Sequence, residues 1–242
     1  MCGRLALYTP PHRLARLLEA TVAAGVAPEG EPSFNVGPTR TLVGVTDRGN
    51  GRVLDAYRWG LVPYFAKDPA VGARAFNARA ETVTTKAAFR DAFQRRRLLV
   101  PVDGFFEWDH RDDTRTPHYF TRADATPIVF AGLYERWRDR SAPDDAPWLK
   151  SCTILTTTPG ADLDGIHDRM PVVLEPGAFD LWLTAADDER DALLGLCTPA
   201  PAGTLVHHPV DRAVGNVNND YPELLDAVAA TVAPPSLFDG IA

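Results

Sequence analysis

Five short runs of apolar, aromatic and β-branched residues crowd one stretch of the chain: Leu98–Val102, Phe105–Trp108, His118–Thr121, Ile128–Tyr134 and Cys152–Thr156. Runs of this length and composition, bounded by turn residues, read as strands. Thr41–Val45 and Val53–Arg58 add two more around a turn at Arg48–Gly51, and Leu205–His207 reads as a late strand. Helical spacing is confined to scattered segments. His12–Ala24 sets Leu14, Leu17, Leu18 and Val22 on one face, Thr84–Phe93 sets Phe89 and Phe93 four apart, and Phe179–Leu183 and Glu189–Leu196 read likewise. Strands that do not alternate regularly with helices predict an α+β fold with a mostly antiparallel sheet.

A chain of 242 residues, 45% hydrophobic, is long enough to bury a substantial core in a single domain. The polar stretch Asp139–Pro147 reads as a surface hairpin loop rather than a boundary, and Ala233–Ala242, with its Pro-Pro pair, as a loose tail. The domain is therefore expected over residues 1–232 and the tail over 233–242. No stretch approaches the roughly 18 apolar residues of a membrane helix. The first residues, MCGRLALYTPPHR, lack a basic segment followed by an apolar core, so a cytoplasmic location is expected. Three widely spaced cysteines, Cys2, Cys152 and Cys197, fit reduced thiols rather than a disulfide framework.

The formal net charge of −7 weighs against a nucleic-acid partner. Its distribution weakens that objection. Acidic residues gather at Asp112–Asp113, Asp144–Asp145 and Asp187–Glu189, where they read as solvated turns or helix starts. Arginines gather elsewhere, at Arg74, Arg79, Arg90 and Arg95–Arg97. Binding responds to the local field, so a basic groove on an acidic protein is allowed.

Cys2 carries the most reactive chemistry. Methionine before a small residue is commonly removed, which leaves an amine and a thiol on one residue. An α-amine with a pKa near 7.7–8.0 is partly neutral at physiological pH. It condenses with an aldehyde to an imine, and the adjacent thiol closes a five-membered thiazolidine. The alternatives are amidase chemistry, in which the thiol attacks an acyl group, and an inert buried cysteine.

Three further segments hold polar groups of note. In Phe76–Thr82, an extended chain points Asn77, Arg79 and Glu81 the same way, a face suited to a sugar-phosphate or to a plain Arg79–Glu81 pair. In Val102–Trp108, Glu107 stands among aromatic groups that raise a carboxyl pKa, unless it alternates outward. His167–Pro171 is a polar loop leading into the apolar run Val172–Leu174; His167 is either a proton carrier or structural. His207–His208 lacks companion ligands at zinc spacing, and there is no CxxC, GxGxxG or GxxxxGK[ST] motif. Neither a metal nor a cofactor is expected.

Taken in order, these segments resemble the SOS response-associated peptidase (SRAP) family, proteins that shield abasic sites in single-stranded DNA. The matching blocks are Met1–Arg4, Phe34–Pro38, Arg58–Pro63, Asn77–Thr82, Leu99–Trp108, Ile166–Pro171 and His208–Val210. The resemblance implies a mostly antiparallel sheet or barrel-like core with flanking helices. It implies that Cys2 is the nucleophile after autocatalytic removal of Met1, with a further lyase activity. Asn77 matches the residue that orients the sugar, Glu107 the acid/base, and His167 the group that assists ring opening and crosslink reversal. Arg4 and Arg79 match arginines directed at DNA phosphates, Asn35 and Trp59 fall in blocks expected to contact DNA, and Phe65, just past Pro63, is expected to be the aromatic wedge on which flanking bases stack. Many relatives carry tryptophan where Phe65 stands, and often cysteine where Leu98 stands. The expected partner is single-stranded DNA bearing an abasic site, met by a monomer without a membrane. The competing readings are an N-terminal cysteine amidase or protease and a non-catalytic single-strand binding module.

Overall fold

The computed structural model describes residues 2–27, 29–47, 49–111 and 115–228. The expected tail 233–242 lies outside them, as do Arg48 and Asp112–Asp113. In chain order the elements begin β1 (Leu5–Leu7), α1 (Pro11–Leu17), β2 (Ala20–Val22), β3 (Ser33–Val36), β4 (Thr41–Asp47), β5 (Arg52–Trp59), β6 (Asn77–Arg79) and α2 (Arg90–Arg95). They continue with β7 (Arg97–Val102), β8 (Gly104–Trp108), β9 (Pro117–Arg122), β10 (Ile128–Trp137), β11 (Leu149–Thr157), β12 (Met170–Pro171), α3 (Phe179–Thr184), α4 (Arg190–Leu196) and β13 (Leu205–Pro209).

Five strands close on themselves. β5, β4, β7, β10 and β11 pair antiparallel in that order. A parallel contact, Ser151↔Arg58 and Cys152↔Trp59, then joins β11 back to β5. Closure leaves no unpaired edge within the ring. A second sheet, ordered β13-β9-β8-β1-β3, is antiparallel throughout.

Alternation along the barrel strands splits the apolar residues into two sets. Leu42, Tyr57, Leu98, Val100, Phe130 and Ile154 form one buried cluster, joined by Leu5, Phe105 and Phe120 of the second sheet. Val45, Leu54, Leu99, Val129, Ala131 and Leu155 face the other way and are covered by Leu14, Phe93, Phe179, Trp182 and Leu193 from the four helices. Each such side chain fully buried contributes about 1.5–3 kcal/mol. Inside the ring a Cβ on Gly44 would lie 2.7 Å from a Leu98 methyl, so the small residue makes room for the large one across from it.

The expected strands all form, and the helices at Phe179 and Arg190 stand where the apolar spacing places them. The expected fold holds: α+β, mostly antiparallel, barrel-like, with flanking helices. Two expected helices are corrected. His12–Ala24 stops at Leu17, because Ala20–Val22 pairs with β5 instead; Glu19 makes the turn at φ 52°. Thr84–Phe93 becomes turns followed by the short α2, although Phe89 and Phe93 still bury together. The Asn77–Glu81 extension ends at Arg79, and a 3-10 turn over Ala80–Thr82 carries Glu81 off that face. None of the helices among the described residues is long and apolar enough to cross a membrane.

Candidate active site

One end of β11 organises the site. On one edge β11 pairs parallel with β6, setting Ile154 opposite Asn77. On its other edge it pairs with β12, setting Thr156 opposite Pro171. Asn77 and the His167 loop that leads into β12 are thereby brought to the two flanks of one strand. The second sheet supplies the remaining groups. Cys2 enters just ahead of β1, which pairs with β8, and Glu107 lies near the end of β8.

The Asn77 side-chain amide donates to the Cys2 carbonyl at 2.7 Å, fixing the main chain next to the thiol. The Asn77 Oδ1 atom is buried and finds no hydrogen-bond partner among the described residues. Cys2 is fully buried, and desolvation, reinforced by the Glu107 charge, holds its thiol well above the usual range. Glu107 is 1% exposed, and burial pushes its carboxyl up to about 7. Its Oε2 lies 3.8 Å from His167 Nε2. Burial draws the His167 pKa down. His167 Nδ1 accepts the Arg169 backbone N–H at 2.9 Å, which places the proton of the neutral ring on Nε2, the nitrogen facing Glu107. Asp168 Oδ1, also 2.9 Å from Nδ1, becomes a partner of that nitrogen once the ring is protonated.

Arg169 fixes this loop. It is 8% exposed, binds Glu81 with two bonds of 2.6 and 2.9 Å, and donates to the Thr156 carbonyl at 2.6 Å. Of the two readings of that face, the plain Arg79–Glu81 pair gives way to Arg169–Glu81, which locks β6 and its following turn to the His167 loop. Spacing along the sequence did not reveal it, since the partners lie on separate elements. His110 was also missed. It lies beyond β8 in a loop, with its ring 5.7 Å from that of His167.

The structure divides the expected DNA contacts. Phe65 and Tyr64 are about half exposed and meet edge-to-face at 5.3 Å. They ride on the segment leaving β5 at Gly60, whose φ of 131° and approach to the Gly72 carbonyl exclude a Cβ. Arg79 is exposed. Trp59, by contrast, is fully buried with its indole N–H on the Phe76 carbonyl at 2.9 Å, so its expected DNA contact is corrected to a core position. Asn35 is corrected likewise: it is 2% exposed and its amide binds the Val214, Asn216 and Asn219 carbonyls. Arg4 bonds Asn35 Oδ1 at 2.9 Å and the Val214 carbonyl at 2.6 Å, which turns its guanidinium into a tie across the fold. Of the expected arginine cluster, Arg97 is buried on four backbone carbonyls, Arg96 pairs with Glu135, and Arg90 and Arg95 pair with Asp91 and Asp187. Arg74 and Arg79 remain exposed, Arg79 on the same short strand as Asn77. No group of three or more His, Cys, Asp or Glu side chains among the described residues is arranged to hold a metal ion.

Abasic site processing protein YoaM of Bacillus subtilis (strain 168) is 36% identical over 230 residues, covering 94% of this chain and 98% of its own. Abasic site processing protein YedK of Escherichia coli (strain K12) is 32% identical over 232 residues, covering 94% and 100%. A crystal structure of a protein from Bacteroides thetaiotaomicron shares the fold with a TM-score of 0.82 at 20% identity, over 94% of this chain and all of that one. A second, from Bordetella bronchiseptica, gives 0.69 at 29% identity, over 87% and 100%. The family model described as "SOS response associated peptidase (SRAP)" matches residues 1–217, and the chain belongs to that family.

Proposed function

We propose that this protein processes abasic sites in single-stranded DNA by forming a covalent thiazolidine through Cys2 after Met1 is removed. The observation that carries this reading is the Asn77 amide on the Cys2 carbonyl, with Glu107 and His167 facing each other beside it. The names of the relatives, abasic site processing proteins, agree with it.

Hydrolysis of the Met1–Cys2 peptide bond consumes one water and exposes the Cys2 amine; this is the peptidase step. The Cys2 thiol is closed from solvent in the uncleaved chain, so cleavage precedes engagement of DNA. An abasic deoxyribose reacts only in its open form, and His167, with a proton on Nε2, donates to the ring oxygen as it opens. The amine adds to the aldehyde, and the carbinolamine loses water to give an imine. Glu107, titrating at about 7, protonates the departing hydroxyl. The thiol then adds across the C=N bond, its proton passing through Glu107 to nitrogen. One aldehyde and one aminothiol give one thiazolidine and one water. Elimination of the 3′ phosphate from the imine would be a lyase branch, and ring closure by the thiol competes with it. Phe65 with Tyr64 gives flanking bases a surface to stack on, and Arg79 meets phosphate. The protein acts as a monomer, since one chain supplies every group in the scheme.

Intact-protein mass spectrometry after mixing with an abasic oligonucleotide tests this. The expected species has lost Met1 and gained the oligonucleotide less one water. An equal adduct in Cys2→Ala would overturn the proposal.

A further inference from the structure

At the barrel mouth remote from Asn77 the inward-facing positions turn polar. Thr46 on β4, Asp55 and Tyr57 on β5, Tyr134 on β10 and Lys150 on β11 line a cavity of about 530 Å³. Lys150 lies four to six residues along β11 from Ile154–Thr156, which places this mouth roughly 15–20 Å from the Cys2 site. The cavity has a deep floor and an open rim. On the floor, Asp55 is 4% exposed and accepts from Lys150 Nζ at 2.6 Å. Thr46 is 2% exposed, and its hydroxyl finds no hydrogen-bond partner among the described residues. A buried hydroxyl left in this state carries a desolvation cost that a ligand's polar edge would relieve. At the rim, Trp148 is 47% exposed, and the Arg136 guanidinium lies 5.3 Å from its ring centroid. Arg138 lies 5.0 Å from the same ring and is paired to Asp144.

The chemistry selects among ligands. With Asp55 neutralised by Lys150 and Arg138 by Asp144, Arg136 leaves an excess positive charge at the opening. The lone carboxylate already holds an ammonium, so a metal ion is disfavoured. The closed ring presents no strand edge to a peptide. What remains is an anion joined to a flat ring: a guanidinium for phosphate, an indole–guanidinium plate for stacking, and hydroxyls at depth for a base edge. The volume falls within the range of small-molecule sites.

The geometry points to a second ligand site here, one that takes a mononucleotide unit, its phosphate on Arg136, its base on the Trp148 rim and its edge toward Thr46 and Tyr57. The unit comes either from a free nucleotide or from a nucleotide of the strand held at Cys2; only the second source rests on the function proposed above.

Isothermal titration of the full chain with 2′-deoxyadenosine 5′-monophosphate tests the site, with inorganic phosphate and deoxyadenosine as separate probes. Saturable binding of the nucleotide, weakened roughly tenfold or more in Arg136→Ala and in Thr46→Val, is expected. Phosphate alone binding as tightly as the nucleotide would overturn it. Abasic oligonucleotides with increasing flanks then separate the sources. If longer flanks speed adduct formation in the wild type but not in Arg136→Ala, the strand supplies the unit; if flank length leaves the two alike, the free nucleotide does. No saturable nucleotide binding together with no Arg136-dependent flank effect refutes the site. A chain that forms no adduct at all still reads out in the titration, so the two proposals fail separately.

Discussion

His167 Nε2 faces Glu107 Oε2 across 3.8 Å, with the histidine's other nitrogen held by the Arg169 amide. Burial pushes the two groups in opposite senses, the carboxyl up and the imidazole down, so near pH 7 the imidazole is neutral and the carboxyl is about half protonated. A neutral carboxyl donates a proton, and a neutral imidazole is spared an unfavourable buried charge.

The pH dependence of adduct formation follows. The Cys2 amine must be unprotonated, which favours pH above about 8, while Glu107 must be protonated, which favours pH below about 7. The rate is therefore a bell peaking near pH ~7.5, with its falling limb due to Glu107. Glu107→Gln lowers the rate and removes that limb. Rates measured in a pH series by gel shift check this; an unchanged falling limb in the variant takes Glu107 out of proton transfer.

The same carboxyl affects stability. Its folded pKa lies above that of an unfolded glutamate, so the native state binds the proton more tightly. Stability is lost as pH rises from the unfolded value near 4.5 to about 7 and stays lower beyond. Glu107→Gln abolishes that loss, worth up to about 3 kcal/mol. Urea midpoints at pH 5 and 8 should draw closer together in the variant, and a persistent gap of the same size argues against a raised Glu107 pKa.

Trp59 and Phe65 separate packing from recognition. Trp59 is fully enclosed, so Trp59→Ala costs about 3–5 kcal/mol. Phe65 is 45% exposed, and Phe65→Ala leaves stability within about 0.5 kcal/mol while weakening strand binding by about 1–3 kcal/mol. Thermal melts and fluorescence anisotropy on an abasic oligonucleotide provide the two readouts. A stable Trp59→Ala protein with impaired binding would restore Trp59 to the DNA surface.

Asn35 and Arg79 make a second contrast. Removing the Asn35 amide takes the donor from the Asn219 carbonyl and the Oδ1 acceptor from Arg4, so Asn35→Ala destabilises by about 2 kcal/mol. The salt dependence of DNA binding stays as it was. Arg79→Ala leaves stability unchanged and lowers the slope of log K against log salt by about one, the signature of one lost phosphate contact. Binding measured across a salt series decides; a lowered slope in Asn35→Ala would mean that residue does meet the backbone.

Much of this protein was legible before any coordinates. Short apolar and β-branched runs bounded by turn residues marked the barrel strands, because a strand buried on both faces reads as a near-continuous apolar run. The reactive groups of Cys2, Asn77, Glu107 and His167 could be named from residue type, but that Asn77 meets the Cys2 carbonyl and Glu107 faces His167 was set by the fold. Periodicity could not say which surface covers a face. The parallel contact of Cys152 with Trp59 closes the ring and buries an indole that local sequence left available to DNA. Asn35 is turned inward, and Arg4 tied down, only because residues 214–219 return to meet them. Glu81 found Arg169 rather than Arg79 because a 3-10 turn redirected it. Local sequence sets what a side chain can do; only long-range packing sets which partner is near enough to engage it, since that depends on chain returning from far along the sequence.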